Sequence, residues 1–235
     1  MFRVEPQKVN DPGGMLMNQQ KVLAIHHRLL EFFGQPEWRN PLPPVDELVS
    51  TILSQNTNDT NRDRAFSALL ERFPTWEAVR DAAVSDVIGA IRPAGLANQK
   101  GPRIQEVLRA ITAQRGVLSL EFLRDMPLEE ARAWLMQFKG VGPKTAAIVL
   151  LFSLGRPAFP VDTHIYRVSG RLGLRPSEMT VEESHTYLEA LLPPQTYYAA
   201  HLNLIRLGRE ICAARRPDCP ACPLQPCCDF YRGAS

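Results

Sequence analysis

None of the residues before Cys212 is a cysteine, and all five cysteines of this 235-residue chain lie in its tail. A disulfide framework fits that distribution poorly, because the chain is long, the thiols crowd one end and their number is odd. Strand-type alternation is nearly absent too, which leaves helices to carry the fold. No apolar run approaches the length that spans a bilayer, and the N-terminus has no signal-peptide core. Together with free thiols, these absences predict a soluble intracellular protein. There is no internal repeat and no low-complexity tract. Excess charge is also scarce. A formal net charge of +2 permits nucleic-acid binding without pointing to it. Any positive patch must therefore be local, as in Arg92, Lys100, Arg103, Lys139 and Lys144, or Arg206, Arg209, Arg215 and Arg216.

What is present is helical periodicity along nearly the whole chain. Residues 1–18 are polar, contain Asp11-Pro-Gly-Gly14 and read as a flexible leader. Val22, Ile25, Leu29, Leu30 and Phe33 form one apolar face of a first helix, stopped by Gly34. After Pro41-Leu-Pro-Pro44 a second helix carries Leu48, Ile52 and Leu53. Thr60 with Asp63 resembles a capping box for a third, with Phe66, Leu69 and Phe73. Thr75 and Ser85 read as caps of two short helices. Ile104, Val107, Leu108 and Ile111 mark another helix, and 163–172, 180–192 and 197–212 complete an all-α chain of about a dozen helices.

Cys212, Cys219, Cys222 and Cys228 follow the pattern Cys-x6-Cys-x2-Cys-x5-Cys, with Cys227 as an extra thiol. Four thiolates in so short a stretch can enclose a tetrahedral ion or an iron–sulfur cluster. Zinc ribbons usually supply two Cys-x-x-Cys knuckles, and only Cys219-Pro-Ala-Cys222 is one here. Spacing alone leaves zinc and iron–sulfur open.

Upstream, Leu135-Met-Gln-Phe-Lys139-Gly140-Val141-Gly142-Pro143-Lys144 reads as helix, tight hairpin, helix. Gly140 and Gly142 let backbone amides approach another molecule, and Pro143 suits the first position of a helix. Amides and the positive end of a helix dipole together make a phosphate cradle, although an ordinary turn between helices has the same glycines. Val161-Asp162-Thr163-His164 follows. Asp162 before Thr-His has the makings of an N-cap as well as of a catalytic carboxylate. His164 and His201 read as structural histidines.

Gly140-Val-Gly-Pro-Lys144-Thr-Ala, then Val161-Asp-Thr-His, then the four-cysteine loop, resembles the endonuclease III family of helix–hairpin–helix DNA glycosylases, in order and spacing from about Val22 to Cys228. The resemblance implies a two-domain all-α fold. A six-helix domain spans residues 45–154 and holds the helix–hairpin–helix at 128–153, and a discontinuous cluster domain spans 19–44 and 155–235. It implies a 4Fe–4S cluster on Cys212, Cys219, Cys222 and Cys228, with Cys227 not a ligand. Its partner would be double-stranded DNA with damaged bases or abasic sites, bound by a monomer. A base extruded into the cleft between the domains would meet Lys144 and Asp162 there.

A carboxylate such as Asp162 stabilises the positive charge that builds on the sugar as a glycosidic bond breaks. An amine such as that of Lys144 attacks C1′ and forms a Schiff base, which permits strand cleavage by β-elimination. In the family's DNA-facing loops, Gln55 takes the intercalating place and Leu96 that of the wedge; Lys139, Gly140, Val141 and Gly142 form the DNA-binding hairpin. Asn56-Thr-Asn58, Ala97 and Lys139, where a proline is frequent, depart from the usual wording and bear on substrate preference. The favoured expectation is a bifunctional glycosylase and abasic-site lyase for oxidised pyrimidines. The alternatives are a monofunctional mismatch glycosylase, whose relatives usually lack lysine at the Lys144 position, and a non-catalytic DNA-binding iron–sulfur protein.

Overall fold

The structure, a computed structural model, describes residues 12–38 and 40–233. The described residues form twelve α-helices and no strand: α1 (Pro12–Phe33), α2 (Pro44–Ser54), α3 (Asp59–Arg72), α4 (Trp76–Asp81), α5 (Val84–Ala90), α6 (Ala97–Arg115), α7 (Leu128–Met136), α8 (Pro143–Ile148), α9 (Thr163–Arg171), α10 (Val181–Leu191), α11 (Tyr197–Glu210) and α12 (Asp229–Gly233). No described helix is long and apolar enough to cross a membrane. The chain divides into two compact units. One takes the chain up to Pro36 and again from Val161, and the other runs Glu37–Pro160.

The Glu37–Pro160 unit has a continuous core. Leu48, Ile52 and Leu53 of α2, Leu69 of α3, Ile104, Leu108 and Ile111 of α6, Leu135 of α7 and Ala146 and Ala147 of α8 are fully buried in it. These are the apolar positions that recur every three or four residues, so periodicity alone selects the inward face of each helix. Phe122, Trp134 and Phe138 add edge-to-face ring contacts, with centroids 4.9 Å apart in both pairs, beneath the turn that follows α7. In the other unit α1 packs on α10 and α11, and α9 packs on α11 and α12. Ile25 and Leu29 of α1, Ile165 and Val168 of α9 and Leu207 of α11 are buried there.

Three local expectations are corrected. α1 begins at Pro12, so the described part of the stretch read as a leader is helical. The Asn18 amide donates to the Tyr187 hydroxyl at 3.3 Å, and a helix anchored by packing further along propagates through polar residues without needing their burial. Thr60 and Asp63 do not form the capping box: Asn58 is the N-cap of α3, accepting from the Asn61 amide at 2.8 Å. Asparagine two residues earlier is the better cap and takes the orphan donor first. A capping box is formed instead by Thr180 with Glu183, at the start of α10. Thr75 does cap α4, through the Ala78 amide, whereas α5 starts at Val84 after Ala83 and leaves Ser85 inside the helix.

Candidate functional site

The hairpin between α7 and α8 is built as its glycines require. Gly140 has φ +82°, so the backbone angle demands glycine, and a Cβ there would also have to displace the Arg103 side chain, whose Cδ lies 2.4 Å away. Val141 does not present itself to a ligand: its side chain is 4% exposed in the core and its amide donates to the Phe138 carbonyl at 3.0 Å. The hairpin's outward face therefore belongs to Lys139 and Gly140, both exposed. Gly142 caps α8 and Pro143 occupies its first turn, as expected from a residue without an N–H. Lys144 follows on that turn, half-buried, while Thr145, Ala146 and Ala147 turn into the core. α8 then widens into a π turn at Val149–Ser153, a rare geometry often found beside functional residues.

Gln55 and Leu96 lie on two loops of this same unit. Gln55 ends α2, its amide donates to the Gly140 carbonyl at 2.9 Å, and its carbonyl accepts from Arg103 at 3.2 Å. It is thus joined directly to the hairpin. Leu96 precedes α6 in a left-handed conformation, φ +50°, and is 47% exposed. A leucine held outward in a backbone region that L-residues seldom adopt is not a core leucine under a turn. Arg103 and Lys100, read from the sequence as part of a local positive patch, prove to be internal ties, and Lys100 is buried. The signal that could have found Lys100 is its helical register with Ile104, Val107 and Leu108, which places it on the buried face of α6.

The second unit carries the remaining residues. Asp162 caps α9, its carboxylate accepting from the Ile165 amide at 2.8 Å, and it is half-buried. The cap holds the carboxylate in one orientation on the positive end of the helix. His164 lies 3.1 Å from the Arg167 guanidinium, and His201 is 4% exposed.

Beyond α11, Cys212, Cys219, Cys222 and Cys228 all line one cavity, together with Arg171, Gln225 and Phe230. Cys227 lies apart from that lining, with its thiol on the Leu224 carbonyl at 3.4 Å. Burial pushes the Cys222 thiol above the ordinary thiol range, and the neighbouring thiols of Cys212, Cys228 and Cys219 push it further. Arg171, which no sequence motif marks, organises the loop. Its guanidinium donates to the Cys212 sulfur at 3.2 Å and to the carbonyls of Ala213 and Ala214, and stacks over Phe230 at 4.8 Å. Arg167 donates to the Cys212 carbonyl from the preceding turn of α9.

Residues 49–194 match the model of the HhH-GPD superfamily base excision DNA repair proteins. Endonuclease III of Thermotoga maritima is 35% identical over 80% of this chain and 84% of its own length. The chain belongs to the endonuclease III family. A solved endonuclease III–DNA complex superposes with a TM-score of 0.79 at 28% identity, covering 92% of this chain and 97% of the other. A protein of Arabidopsis thaliana is 38% identical over 72% of this chain, which spans 57% of that relative's length.

Proposed function

We propose that this base-excision-repair enzyme is a DNA glycosylase and abasic-site lyase acting on oxidised pyrimidines in double-stranded DNA, with Lys144 as nucleophile and Asp162 as its carboxylate partner. The observation that carries the reading is Lys144 itself: an amine on the first turn of α8, half-buried, directly after the Gly-Val-Gly-Pro hairpin. A primary amine held there can act as the nucleophile of Schiff-base chemistry. The chemistry then runs in two steps. The Nζ lone pair bonds to C1′ as the glycosidic bond breaks and the base leaves with the electron pair; the proton the amine then releases passes to O4′ as the C1′–O4′ bond opens to give the Schiff base. The resulting Schiff base acidifies the C2′ proton, whose loss expels the 3′ phosphate. Asp162, oriented by the Ile165 amide, lowers the barrier by facing the positive charge that develops on the sugar.

The DNA-facing surface in this reading consists of Lys139, Gly140, Gly142, Gln55 and Leu96. Gln55 and Leu96 fill the stack vacated by the extruded nucleotide, a step that offsets part of a few kcal/mol of unstacking. The outward exposure of Leu96 supports this role.

The four cavity-lining thiols fit a 4Fe–4S cluster. Thiols bound to such a group would do so as thiolates. Among the described residues no group of three or more His, Cys, Asp or Glu side chains is set to hold a metal ion. When bound, the cluster cross-links the terminal loop. Arg171 orients Cys212 through the sulfur contact, and hydrogen bonds of that kind to cluster sulfurs tune such sites.

Borohydride trapping on duplexes carrying thymine glycol, an abasic site or an adenine mismatch tests the function. A covalent adduct with the first two, and none with the third, is expected. Excision of adenine without any adduct would replace the reading with a monofunctional mismatch enzyme.

A further inference from the structure

Lys100 is 1% exposed, the largest side chain buried to that degree in the described chain, and the chemistry above makes no use of it. Burying an ammonium is costly unless strong hydrogen bonds compensate, so a lysine in a core answers a specific need. Its Nζ donates to the Leu53 carbonyl at 2.7 Å and to the Ala94 carbonyl at 2.8 Å. Both acceptors sit at the ends of helical segments, α2 and the 3-10 turn Arg92–Ala94, where carbonyls lack a following turn to bond them and carry the negative end of the dipole. Leu53 lies two residues before Gln55, and Ala94 two residues before Leu96. One ammonium therefore ties together the roots of the two loops.

The backbone gives an independent sign. Three described non-glycine residues have positive φ, and two of them are Asn56 (φ 53°), next to Gln55, and Leu96 itself (φ 50°). Such conformations persist only where the surroundings over-determine them. The Lys100 amide adds to that control, bonding the Leu96 carbonyl at 2.9 Å from within the first turn of α6. A hydrophobic residue in place of Lys100 would fill the space and leave both carbonyls unpaired, so the loop roots would lose their common anchor.

We propose that Lys100 is a positioning residue for nucleotide extrusion, fixing the separation at which Gln55 and Leu96 enter the duplex as a single two-pronged wedge. This rests on the reading of Gln55 and Leu96 as the stack-filling pair. Two prongs on independently moving loops would fill the gap only part of the time, and misplacement on the order of 1 Å can lower the rate of a positioned step about a hundredfold.

The test compares Lys100→Met with Leu96→Ala, below the melting temperature of each. The probes are a duplex with an abasic site opposite 2-aminopurine and a single-stranded abasic oligonucleotide. Lys100→Met is expected to lower the 2-aminopurine fluorescence rise and to slow β-elimination in the duplex at least about tenfold, with single-strand cutting within about twofold of wild type. Added to Leu96→Ala, it should cost little more, because it acts through the same wedge. If Leu96→Ala keeps the full fluorescence rise, the wedge reading has failed and the pin falls with it. If Leu96→Ala loses the signal while Lys100→Met keeps both the signal and the duplex-to-single-strand ratio, the pin is overturned and Lys100 is a packing residue. Should Lys100→Met not fold, the wild type decides. Amides of 53–57 and 94–97 are expected to gain exchange protection together on an abasic-analogue duplex, and protection in one loop alone overturns the proposal.

Discussion

The α7–α8 hairpin and the Cys212–Cys228 loop both hold chemistry-bearing side chains still, but by opposite means. Behind Lys144 stands an apolar core in which Leu135, Ala146, Ala147, Val149 and Leu150 are fully buried. The cysteine loop has little of this. Leu224 is its one fully buried side chain among the described residues, and its segments are 3-10 turns of three residues. Guanidinium contacts from Arg171 and Arg167, and the Gln225 amide on the carbonyls of Cys219 and Pro220, do the holding instead. In the hairpin, stability comes from surface burial and the reactive group is an addition to it. In the loop the reactive groups are the scaffold. Function and stability should therefore separate in the first region and coincide in the second.

Lys144→Gln is the strongest break. It should abolish the borohydride-trapped adduct and strand cutting, a loss of roughly a thousandfold or more, as expected for removal of a nucleophile. The melting temperature should stay within about 2 °C, because Lys144 is only half-buried and the core lies beneath it. A large fall in thermal stability would erase the contrast with the cysteine loop.

Cys228→Ser should show the opposite coupling, losing iron, colour and roughly 10 °C of melting temperature together. Cys227→Ser should keep all three, since its thiol rests on the Leu224 carbonyl and not in the shared cavity. Iron analysis, the visible spectrum and a thermal melt measure both. Retained colour in Cys228→Ser, or stoichiometric zinc in anaerobically prepared protein, would reassign the ligands or the metal.

Gly140→Ala sharpens the comparison by straining the hairpin without touching Lys144. The positive φ should cost about 1–3 kcal/mol, or about 5 °C in melting temperature, and the Arg103 side chain would have to move aside. DNA affinity should fall as the Gln55–Gly140 bond is disturbed. A duplex titration and a thermal melt read the two effects. An unchanged melt would mean that the hairpin has more freedom than its packing implies.

The smallest effect is one of pH. His26 is 6% exposed, its Nδ1 has no partner, and burial, followed by the neighbouring His27, lowers its proton affinity below that of an ordinary histidine. The unfolded chain thus takes up this proton at a higher pH than the folded one. The associated stability is present above about pH 6.5 and is lost as the pH falls below that value. Between pH 8 and pH 5, His26→Leu should remove about 2 °C of the wild type's loss in melting temperature. Identical pH slopes would show that other groups dominate the titration.

Sequence alone determined the helices, their inward faces, the glycine hairpin and the cysteine loop, because each is written in local spacing: periods of three to four residues, a Gly-x-Gly before proline, four thiols in one short stretch. Caps were legible only in part, since Asn58 displaced Thr60 at the start of α3 and Ala83 took the place expected of Ser85. Neighbouring polar residues compete for one orphan donor, and differences of about 1 kcal/mol choose between them. The carbonyl partners of Lys100, the role of Arg171 over the cysteine loop and the turning-in of Val141 were decided by tertiary structure. A basic side chain reads as surface until distant carbonyls, here those of Leu53 and Ala94, come within its reach. That meeting is set by how helices pack, and no local pattern encodes it.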